Sequence, residues 1–399
     1  MKKIAVVGLY TLKNAGDNIL CDVTQYMIKD TLKGKVEFVD VDVNPSIATY
    51  HGIDKIKYRI SRKMLRMSEK LFSYEHSGWL RYQYEYLMWW LRINKRFKQQ
   101  TKDVDAIVFA GGGFLKFRTQ GLNYYVEQLV KIATKRNIPI MMNGVGIEGY
   151  DEHDIRCQRL KKAINKDCMK VITTRDDVDI LQNCYIVNPN IKTSRVGDPA
   201  LWVPECYQVR KNVSKKDPNK KVVGINVIRG KIYQAYGNTL SEFELMNFYR
   251  VLLHELDDRG IEWVLFSNGM KADQVFGKRL LKTLGYSPRE HLLPAPMKVS
   301  NFIDILQQLD VMFGARLHAC ITSYALDIPI LGLIWNEKLR IFADVIDKKQ
   351  HFFEEDEMDV NRIVDAIEDC MNDSYDDSIR QNLRNLTRQY LDGFLEELN

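Results

Sequence analysis

Short apolar runs alternate with amphipathic segments along almost the whole chain, and this alternation limits the possible folds more than any other feature. Runs this short, flanked by helical patterns, are typical of parallel strands buried between helices. We therefore expect an α/β protein with helices on both faces of each sheet. The predicted strands are 4–9, 36–41, 106–110, 138–143, 171–174, 222–228, 263–267, 310–313 and 330–335. The predicted helices are 17–32, 124–135, 242–256, 272–284, 300–308, 317–326, 339–346 and 360–371.

The chain is long enough for two domains, and one polar stretch predicts where they are joined. It has 399 residues, and single domains usually have ~100–200. Residues 206–221, CYQVRKNVSKKDPNKK, are polar and charged without periodicity, which indicates a linker. We expect two Rossmann-like, doubly wound domains, 1–205 and 222–375, that face each other across a cleft. The amphipathic pattern of 376–399 predicts a final helix that crosses back to the first domain.

Cysteine content and hydropathy exclude several protein classes. Seven cysteines are scattered and no two are spaced as Cys-x-x-Cys, so the sequence predicts neither a disulfide framework nor a zinc site. A reducing compartment, the cytoplasm, fits this pattern. No apolar run approaches the ~18 residues that a membrane-spanning helix needs.

Positive charge is concentrated in residues 53–102, although the whole chain carries only +6. This insert contains thirteen Lys and Arg against four Asp and Glu, a net charge of +9. Residues 55–74 and 79–98 mix the cations with apolar and aromatic side chains at helical spacing, which suits an anionic membrane surface. The alternative is a helical hairpin that packs its rings into the first domain and leaves its charges in water. No nucleic-acid-binding motif accompanies the cations, so we expect no nucleic acid partner.

Glycines and polar residues follow several predicted strands of the first half. Doubly wound sheets bind ligands beyond the carboxyl ends of their strands, where glycines permit close approach and helix N-termini favour anions. None of these segments is a Walker loop, so each could instead be a tight turn, and Asp17 could simply cap a helix. The candidate residues at these strand ends are Asn14, Gly16, Asp17, Gly111, Gly112, Gly113, Gly144, Gly146 and Arg175.

Three basic side chains follow two predicted strands of the second half. Arg316 and His318 come after 310–313, and Lys338 comes after 330–335. If these strands are parallel neighbours, the three side chains lie at one edge of the sheet beside a helix N-terminus, which would make an anion site. The alternative is that Arg316 and Lys338 form ion pairs with Asp310 and Glu337, while His318 caps a helix or packs in the core.

Taken in order, these segments resemble the polysaccharide pyruvyl transferase family over nearly the whole chain. The most specific block is Arg316-Leu-His318-Ala319, and Pro329 and Lys338 lie downstream of it. The sequence departs from the family pattern at 147–149, where a Gly-Pro turn is expected, and in the long basic insert. The matching blocks are Asn14-Ala-Gly-Asp17, Gly111-Gly-Gly113, Gly144-Val-Gly146, Thr174-Arg175-Asp176, Gly197-Asp198-Pro199-Ala200 and Arg316-Leu-His318-Ala319.

This resemblance implies a GT-B-like pair of Rossmann-like domains and an enzyme that uses phosphoenolpyruvate. Members of the family transfer pyruvate from this donor to two hydroxyls of a sugar and so form a cyclic ketal. The implied acceptor is a cell-surface polysaccharide or its lipid-linked precursor, reached at the inner face of the membrane. The implied catalytic histidine is His318, and the implied donor-binding residues are Arg316, Lys338 and Arg175. Asp17 is a second catalytic candidate, while Asn14 and the strand-end glycines are expected to line the substrate cleft.

Phosphoenolpyruvate carries a phosphate and a carboxylate, which explains why fixed positive charge is expected at its site. An imidazole of near-neutral pKa can donate and accept the protons that the transfer requires. The chemistry needs no metal or cofactor, and none is predicted. Two other functions stay open: a GT-B glycosyltransferase that uses a nucleotide sugar, and a catalytically silent module that binds sugar or lipid.

Overall fold

The structure, a computed structural model, describes residues 1–10, 14–45, 47–72, 74–118, 120–209, 221–371 and 375–398. The chain divides into two compact units. The first comprises the described residues of Met1–Leu12, Leu20–Pro199 and Leu383–Asn399, and the second those of Lys13–Ile19 and Ala200–Asn382. Each unit is built around one parallel sheet, so the predicted α/β class with two Rossmann-like units is confirmed.

Six parallel strands form the sheet of the first unit: β1 (Lys2–Gly8), β2 (Val36–Asp42), β3 (Ala106–Ala110), β4 (Ile140–Val145), β5 (Met169–Thr174) and β6 (Lys192–Arg195). Their order is β2-β1-β3-β4-β5-β6. β3 and β4 are buried along their whole length. This burial on both faces explains why their sequences are continuous apolar runs. The direction in which strands are added reverses between β1 and β3, which is the usual ligand-binding point of such sheets.

Helices cover the first sheet, and two of them form a long hairpin. The helices are α1 (Ala15–Thr31), α2 (Gly52–Leu71), α3 (Tyr74–Gln100), α4 (Leu122–Arg136) and α5 (Ile155–Ile164). α1 begins in the second unit and continues in the first. α2 and α3 fall within the basic insert, so this insert is the predicted helical hairpin. The Asp154 side chain accepts a hydrogen bond from the backbone amide of Arg156, which satisfies one donor at the start of α5.

Five parallel strands form the sheet of the second unit: β7 (Val222–Asn226), β8 (Glu262–Phe266), β9 (Val311–Gly314), β10 (Ile330–Leu333) and β11 (Phe352–Phe353). Their order is β11-β10-β9-β7-β8. Strand addition reverses between β7 and β9. The carboxyl ends of these two strands are therefore the expected ligand-binding point of this unit.

The helices of the second unit follow its strands in alternation. α8 starts with a capping box, in which Ser241 and Glu244 each bond the other's backbone amide. Short 3₁₀ turns lie at Ile47–Thr49, Pro199–Trp202, Lys349–His351 and Glu355–Glu357, and a π-helical turn lies at Ile180–Tyr185. The helices are α6 (Val203–Cys206), α7 (Lys231–Ala235), α8 (Glu242–Asp258), α9 (Lys271–Leu284), α10 (Pro288–His291), α11 (Val299–Leu306), α12 (Leu317–Ala325), α13 (Glu337–Val345), α14 (Val360–Cys370) and α15 (Asp377–Glu396).

All nine predicted strands are present, with ends shifted by up to two residues. Two further strands were not predicted. β6 has the polar sequence KTSR and is partly exposed at the sheet edge, so it carries no apolar signal. β11 is only two residues long.

The domain boundary can be compared with the structure only in part. Residues 210–220 of the predicted linker lie outside the described residues, and the two units divide between Pro199 and Ala200. α15 begins in the second unit and ends in the first. Within the first unit its later part is fixed by Thr387, whose hydroxyl donates to the carbonyl oxygen of Gly197 at 3.0 Å.

Candidate active site

Polar side chains collect at the carboxyl end of the second sheet, next to its reversal point. Asn226 ends β7, and its Nδ2 donates to Oδ1 of Asn268, which follows β8, at 2.9 Å. Both asparagines are buried. Gly314 ends β9 beside Asn226, and a Cβ atom at Gly314 would meet the Asn226 Cβ at 2.5 Å. A glycine is therefore needed for β9 and β7 to end side by side at this edge.

Arg316 is fixed by a buried carboxylate that the sequence analysis did not identify. Its Nε and Nη2 both donate to Oδ2 of Asp273, at 3.0 and 2.5 Å. Asp273 lies in the first turn of α9 and is fully buried. Its Oδ1 accepts from the backbone amide of Arg229 at 3.2 Å and lies 3.8 Å from Nη1 of Arg229. One carboxylate is thus shared by two arginines, so the cluster carries one excess positive charge.

The predicted ion-pair alternative for Arg316 named the wrong partner. Arg316 is ion-paired with Asp273 rather than with Asp310, whose Oδ2 accepts from the backbone amide of Val222 at 2.8 Å. Glu337, the other acidic residue in that alternative, pairs with Arg340. The pairing with Asp273 uses two donors on one edge of the guanidinium and fixes its plane.

His318 lies in the first turn of α12, against the start of α1. A Cβ atom built on Gly16 would lie 2.4 Å from Nδ1 and 2.5 Å from Cβ of His318. The glycine backbone therefore lies directly against the imidazole, and no larger residue fits at position 16. The carbonyl oxygen of His318 accepts from the Thr322 hydroxyl at 2.6 Å. The side chain is half-buried, so a reactant can still reach it.

The start of α1 belongs to the second unit and is hydrogen-bonded to the same sheet edge. The backbone amide of Ala15 donates to the carbonyl oxygen of Asn268 at 2.8 Å. Asn14 precedes α1; its Nδ2 donates to Oδ2 of Asp17 at 2.8 Å, and its Oδ1 accepts from the Gly16 amide at 3.4 Å. Asn14 therefore lies at the capping position, and Asp17 lies in the first turn of α1. Four predicted site residues, Asn14, Gly16, Asp17 and His318, lie together.

Lys338 lies in the first turn of α13, which starts after β10. The side chain of Asn336 caps this helix by accepting from the backbone amide of Leu339 at 3.3 Å. Trp335 ties β10 to the Arg316 loop, because its Nε1 donates to the carbonyl oxygen of Ala315 at 2.5 Å. The N-termini of α1, α9, α12 and α13 thus all belong to this unit, and helix N-termini favour anions.

The predicted glycines of the first unit shape two loops that bond to each other. The amide of Gly111 donates to the carbonyl oxygen of Asn143 at 2.9 Å, and that of Gly146 donates to Gly112 at 2.6 Å. Gly144 has a φ of 60°, and a Cβ there would lie 2.9 Å from Pro199 Cδ. This position therefore requires glycine for its own loop. Gly113 is half-buried and the others are buried, so the tight-turn alternative accounts for their geometry.

Arg175 also lies in the first unit and is buried among acidic residues. Its Nη1 donates to Oδ2 of Asp198, and its Nε lies 3.8 Å from Oδ1 of Asp176. Asp176 in turn accepts from the backbone amide of Ile147 at 2.8 Å. The charge of Arg175 is therefore compensated within the protein, and its donor-binding role stays a prediction.

Sequence reasoning missed Arg229, Asn268, Asp273 and Trp335. One signal was present for the first two: Arg229 and Asn268 follow β7 and β8 within a few residues, as Arg316 follows β9. Asp273 gave no such signal, because it lies inside a helix and its partner is far away in sequence. Among the described residues, no group of three or more His, Cys, Asp or Glu could hold a metal ion.

Comparison with known proteins identifies the family but gives no curated relative. The family model for polysaccharide pyruvyl transferase matches residues 14–337. The match starts at Asn14 and ends one residue before Lys338. No curated protein matches the chain.

Two solved structures that superpose on this chain indicate its fold. UDP-GlcNAc 2-epimerase from Neisseria meningitidis, bound to UDP-GlcNAc, has a TM-score of 0.55 at 10% identity, covering 99% of this chain and 100% of its own. UDP-N-acetylglucosamine 2-epimerase from Rickettsia bellii has a TM-score of 0.56 at 11% identity, with coverage of 100% and 97%. At these identities the likeness shows a GT-B-like fold and no more. The family match covers most of the chain, and the chain therefore belongs to the polysaccharide pyruvyl transferase family.

Proposed function

We propose that the protein transfers pyruvate from phosphoenolpyruvate to two hydroxyls of one sugar in a polysaccharide or its lipid-linked precursor, with release of phosphate. The observation that carries this proposal is the contact between Gly16 and His318. It joins the first and last blocks of the family pattern at one sheet edge, although they lie at opposite ends of the matched range. Family membership supports the reaction class, and the chemistry of the edge supports the donor.

The donor's two anionic groups would bind at the edge formed by Arg316, Arg229 and Lys338. Asp273 is shared by Arg229 and Arg316, and it orients the Arg316 guanidinium. A trianion such as phosphoenolpyruvate gains most from cations held in place before it binds, because no side-chain ordering remains to be done. Helix N-termini of the same unit add to the positive potential.

His318 would move the protons. The enol methylene carbon takes up one proton and becomes a methyl group, which leaves an oxocarbenium-like carbon next to the carboxylate. One sugar hydroxyl adds to that carbon and loses its proton. The second hydroxyl then displaces phosphate, which leaves with the second hydroxyl proton, and the ketal ring closes. The first hydroxyl proton thus replaces the proton that the methylene took up. The second hydroxyl proton leaves with phosphate, so the protons balance.

A nucleotide-sugar glycosyltransferase is the second candidate, since the similar epimerase from N. meningitidis is bound to UDP-GlcNAc. A silent module that binds sugar or lipid is the third. The Arg316–His318 block favours the first candidate, because a half-buried imidazole beside cations suits proton transfer to a bound anion.

The experiment incubates the protein with a panel of free and lipid-linked oligosaccharides and either phosphoenolpyruvate or UDP-sugars. We expect phosphate release from phosphoenolpyruvate, and an acceptor whose mass rises by one ketal-linked pyruvate. His318→Ala should lower this turnover by ~10² or more, the usual worth of a general acid or base. Release of UDP in place of phosphate would establish the second candidate. Donor binding without turnover on any acceptor would favour the third.

The acceptor's lipid-linked form would place the enzyme at the inner face of the membrane. No helix within the described ranges is both long enough and apolar enough to cross a bilayer. Contact with the membrane would therefore depend on a surface of the folded protein.

A further inference from the structure

The hairpin of α2 and α3 has one side packed into the first unit and one side open. On the packed side, Tyr82, Ile93 and Phe97 of α3 are buried. The Trp89 ring packs edge-on against Tyr125 with centroids 4.9 Å apart. Tyr58 of α2 is buried as well, and its ring packs against Tyr50. The alternative that the hairpin packs its rings into the first unit thus describes this side of the hairpin.

Buried polar contacts hold the hairpin in this orientation. Glu85 of α3 accepts from Ser68 of α2 at 2.8 Å and from Tyr124 of α4 at 2.8 Å, so one carboxylate joins three helices. The guanidinium of Arg92 lies over the ring of Tyr58, 4.1 Å from its centroid. The hairpin is therefore a fixed part of the first unit, and its open side is a defined surface.

The open side carries ten large apolar residues, each with 39–67% of its surface exposed. Exposed apolar surface of this extent is uncommon in monomeric proteins and marks sites of interaction. At ~100° per residue, the five on α2 fall within an arc of about 60°, and the five on α3 within about 120°. They are Ile53, Ile56, Ile60, Met67 and Leu71 on α2, and Trp79, Leu80, Leu87, Trp90 and Leu91 on α3.

Cations flank the apolar stripe of α2. The helix has seven Lys and Arg against two acidic residues, a net charge of +5. Arg59, Lys63 and Arg66 follow one edge of the stripe, and Lys57 lies beyond the other. Among the residues that the structure describes, none of the seven cations forms an ion pair. Their charge is therefore available to an external partner.

This combination selects one kind of partner. A second copy of the chain would bring +5 against +5, which repels at short range. A nucleic acid would match the charge but not the exposed isoleucines and leucines. A bilayer with anionic headgroups matches both, since acyl chains accept the apolar stripe while phosphates pair with the flanking cations.

We propose that the open side of the α2–α3 hairpin docks on the surface of an anionic bilayer, with both helices lying in the plane of the interface. The apolar stripes insert among the headgroups and upper acyl chains, and Trp79 and Trp90 lie at the boundary with water. The proposal rests on the hairpin alone. It does not depend on which donor or acceptor the second unit binds.

The experiment is co-sedimentation of the full chain with vesicles of phosphatidylcholine alone or mixed with phosphatidylglycerol. The wild type should bind the mixed vesicles and not the neutral ones. Reversing three cations, with Arg59, Lys63 and Arg66 each changed to Glu, should weaken binding at least ~100-fold, because each basic residue near an anionic surface is worth roughly a fivefold change in affinity. Changing Ile53, Ile56 and Ile60 to Ser should abolish binding to the mixed vesicles.

Matched controls use exposed residues of the second unit. The charge control changes three exposed cations to Glu and so alters the net charge equally: Lys278, Lys282 and Arg289. The apolar control changes three exposed apolar residues to Ser: Phe243, Val275 and Met297. Both controls should bind as the wild type does.

Equal binding to neutral and anionic vesicles, no binding at low salt, or equal loss in hairpin and control variants would overturn the proposal. So would a dimer that dissociates in the isoleucine variant without any vesicle binding. Phosphoenolpyruvate affinity, measured on the same variants, should not change, which separates this test from that of the proposed function.

Discussion

At the scale of single residues, the candidate site depends on two contacts between segments distant in sequence. Gly16 lies against His318, and Asp273 binds Arg316. Neither Gly16 nor Asp273 needs to touch a substrate. Each fixes the position of a side chain that would do so, and each can be tested separately from the chemistry.

Replacing Gly16 with Ala should displace the imidazole of His318. The new methyl group would lie 2.4–2.5 Å from the ring and from Cβ of His318, so the base of the side chain must move. Such a displacement should lower turnover by ~10² while phosphoenolpyruvate affinity changes little. Gly393→Ala is the control, since no atom lies within 4 Å of a Cβ there. Equal turnover in both variants would contradict a role for this contact.

Replacing Asp273 with Asn should destabilise the second unit and make it responsive to anions. The change leaves Arg316 and Arg229 beside a neutral group, and removing one partner of a buried ion pair costs about 3 kcal/mol or more. Asp258→Asn removes an exposed carboxylate and should cost little.

The anion response is the informative part of that measurement. Phosphate should recover more of the lost stability of Asp273→Asn than chloride at equal ionic strength, because phosphate can take the place of the carboxylate between the arginines. Urea unfolding measures both effects. Equal recovery by the two salts would mean that the arginines do not form an anion site.

At the scale of elements, the strands could be predicted better than the contacts made by the residues that follow them. Strands buried on both faces leave continuous apolar runs, so β3 was predicted at its observed bounds. β6 and β11 were missed because a partly exposed edge strand and a two-residue strand leave no such run. The role of α9 in the site was also missed, since Asp273 and Arg316 are brought together only by the order of the sheet.

The stability of the α2–α3 hairpin should depend on pH through Glu85. Burial opposes ionisation of Glu85, but hydrogen bonds from Arg81, Tyr74, Tyr124 and Ser68 outweigh it and lower the pKa of this carboxyl below its ordinary value of 4.5. A lowered pKa means that the ionised group stabilises the fold above the unfolded-state pKa and that this contribution is lost as pH falls through the folded-state pKa.

Glu85→Gln should therefore be less stable than the wild type at neutral pH, by ~2 kcal/mol for the charge-assisted bonds that it loses. The difference should shrink when both proteins are unfolded by urea at a pH below the folded-state pKa. A gap that is the same at both pH values would show that the carboxylate's charge does not hold the hairpin.

At the scale of the whole molecule, the order of the family blocks was more informative than any one of them. Single motifs such as Gly144-Val-Gly146 are explained by loop geometry, and the charge of Arg175 is compensated by Asp198. The blocks at Asn14 and Arg316 are different, because the fold brings both to the second unit. The sequence could not predict this, since residues 14–19 precede most of the first unit in the chain.

We expect the second unit to bind phosphoenolpyruvate without an acceptor, because the arginines of the proposed donor site are held in place within this unit. Equilibrium titration of the full chain with phosphoenolpyruvate, and separately with UDP, measures this directly. We predict saturable binding of phosphoenolpyruvate that Arg316→Ala weakens about tenfold or more, since a charge-assisted hydrogen bond is worth ~1.5–3 kcal/mol. Arg289→Ala, a change at an exposed arginine of the same unit, should leave the affinity unchanged. Binding of UDP without binding of phosphoenolpyruvate, or equal affinity in both arginine variants, would contradict the account.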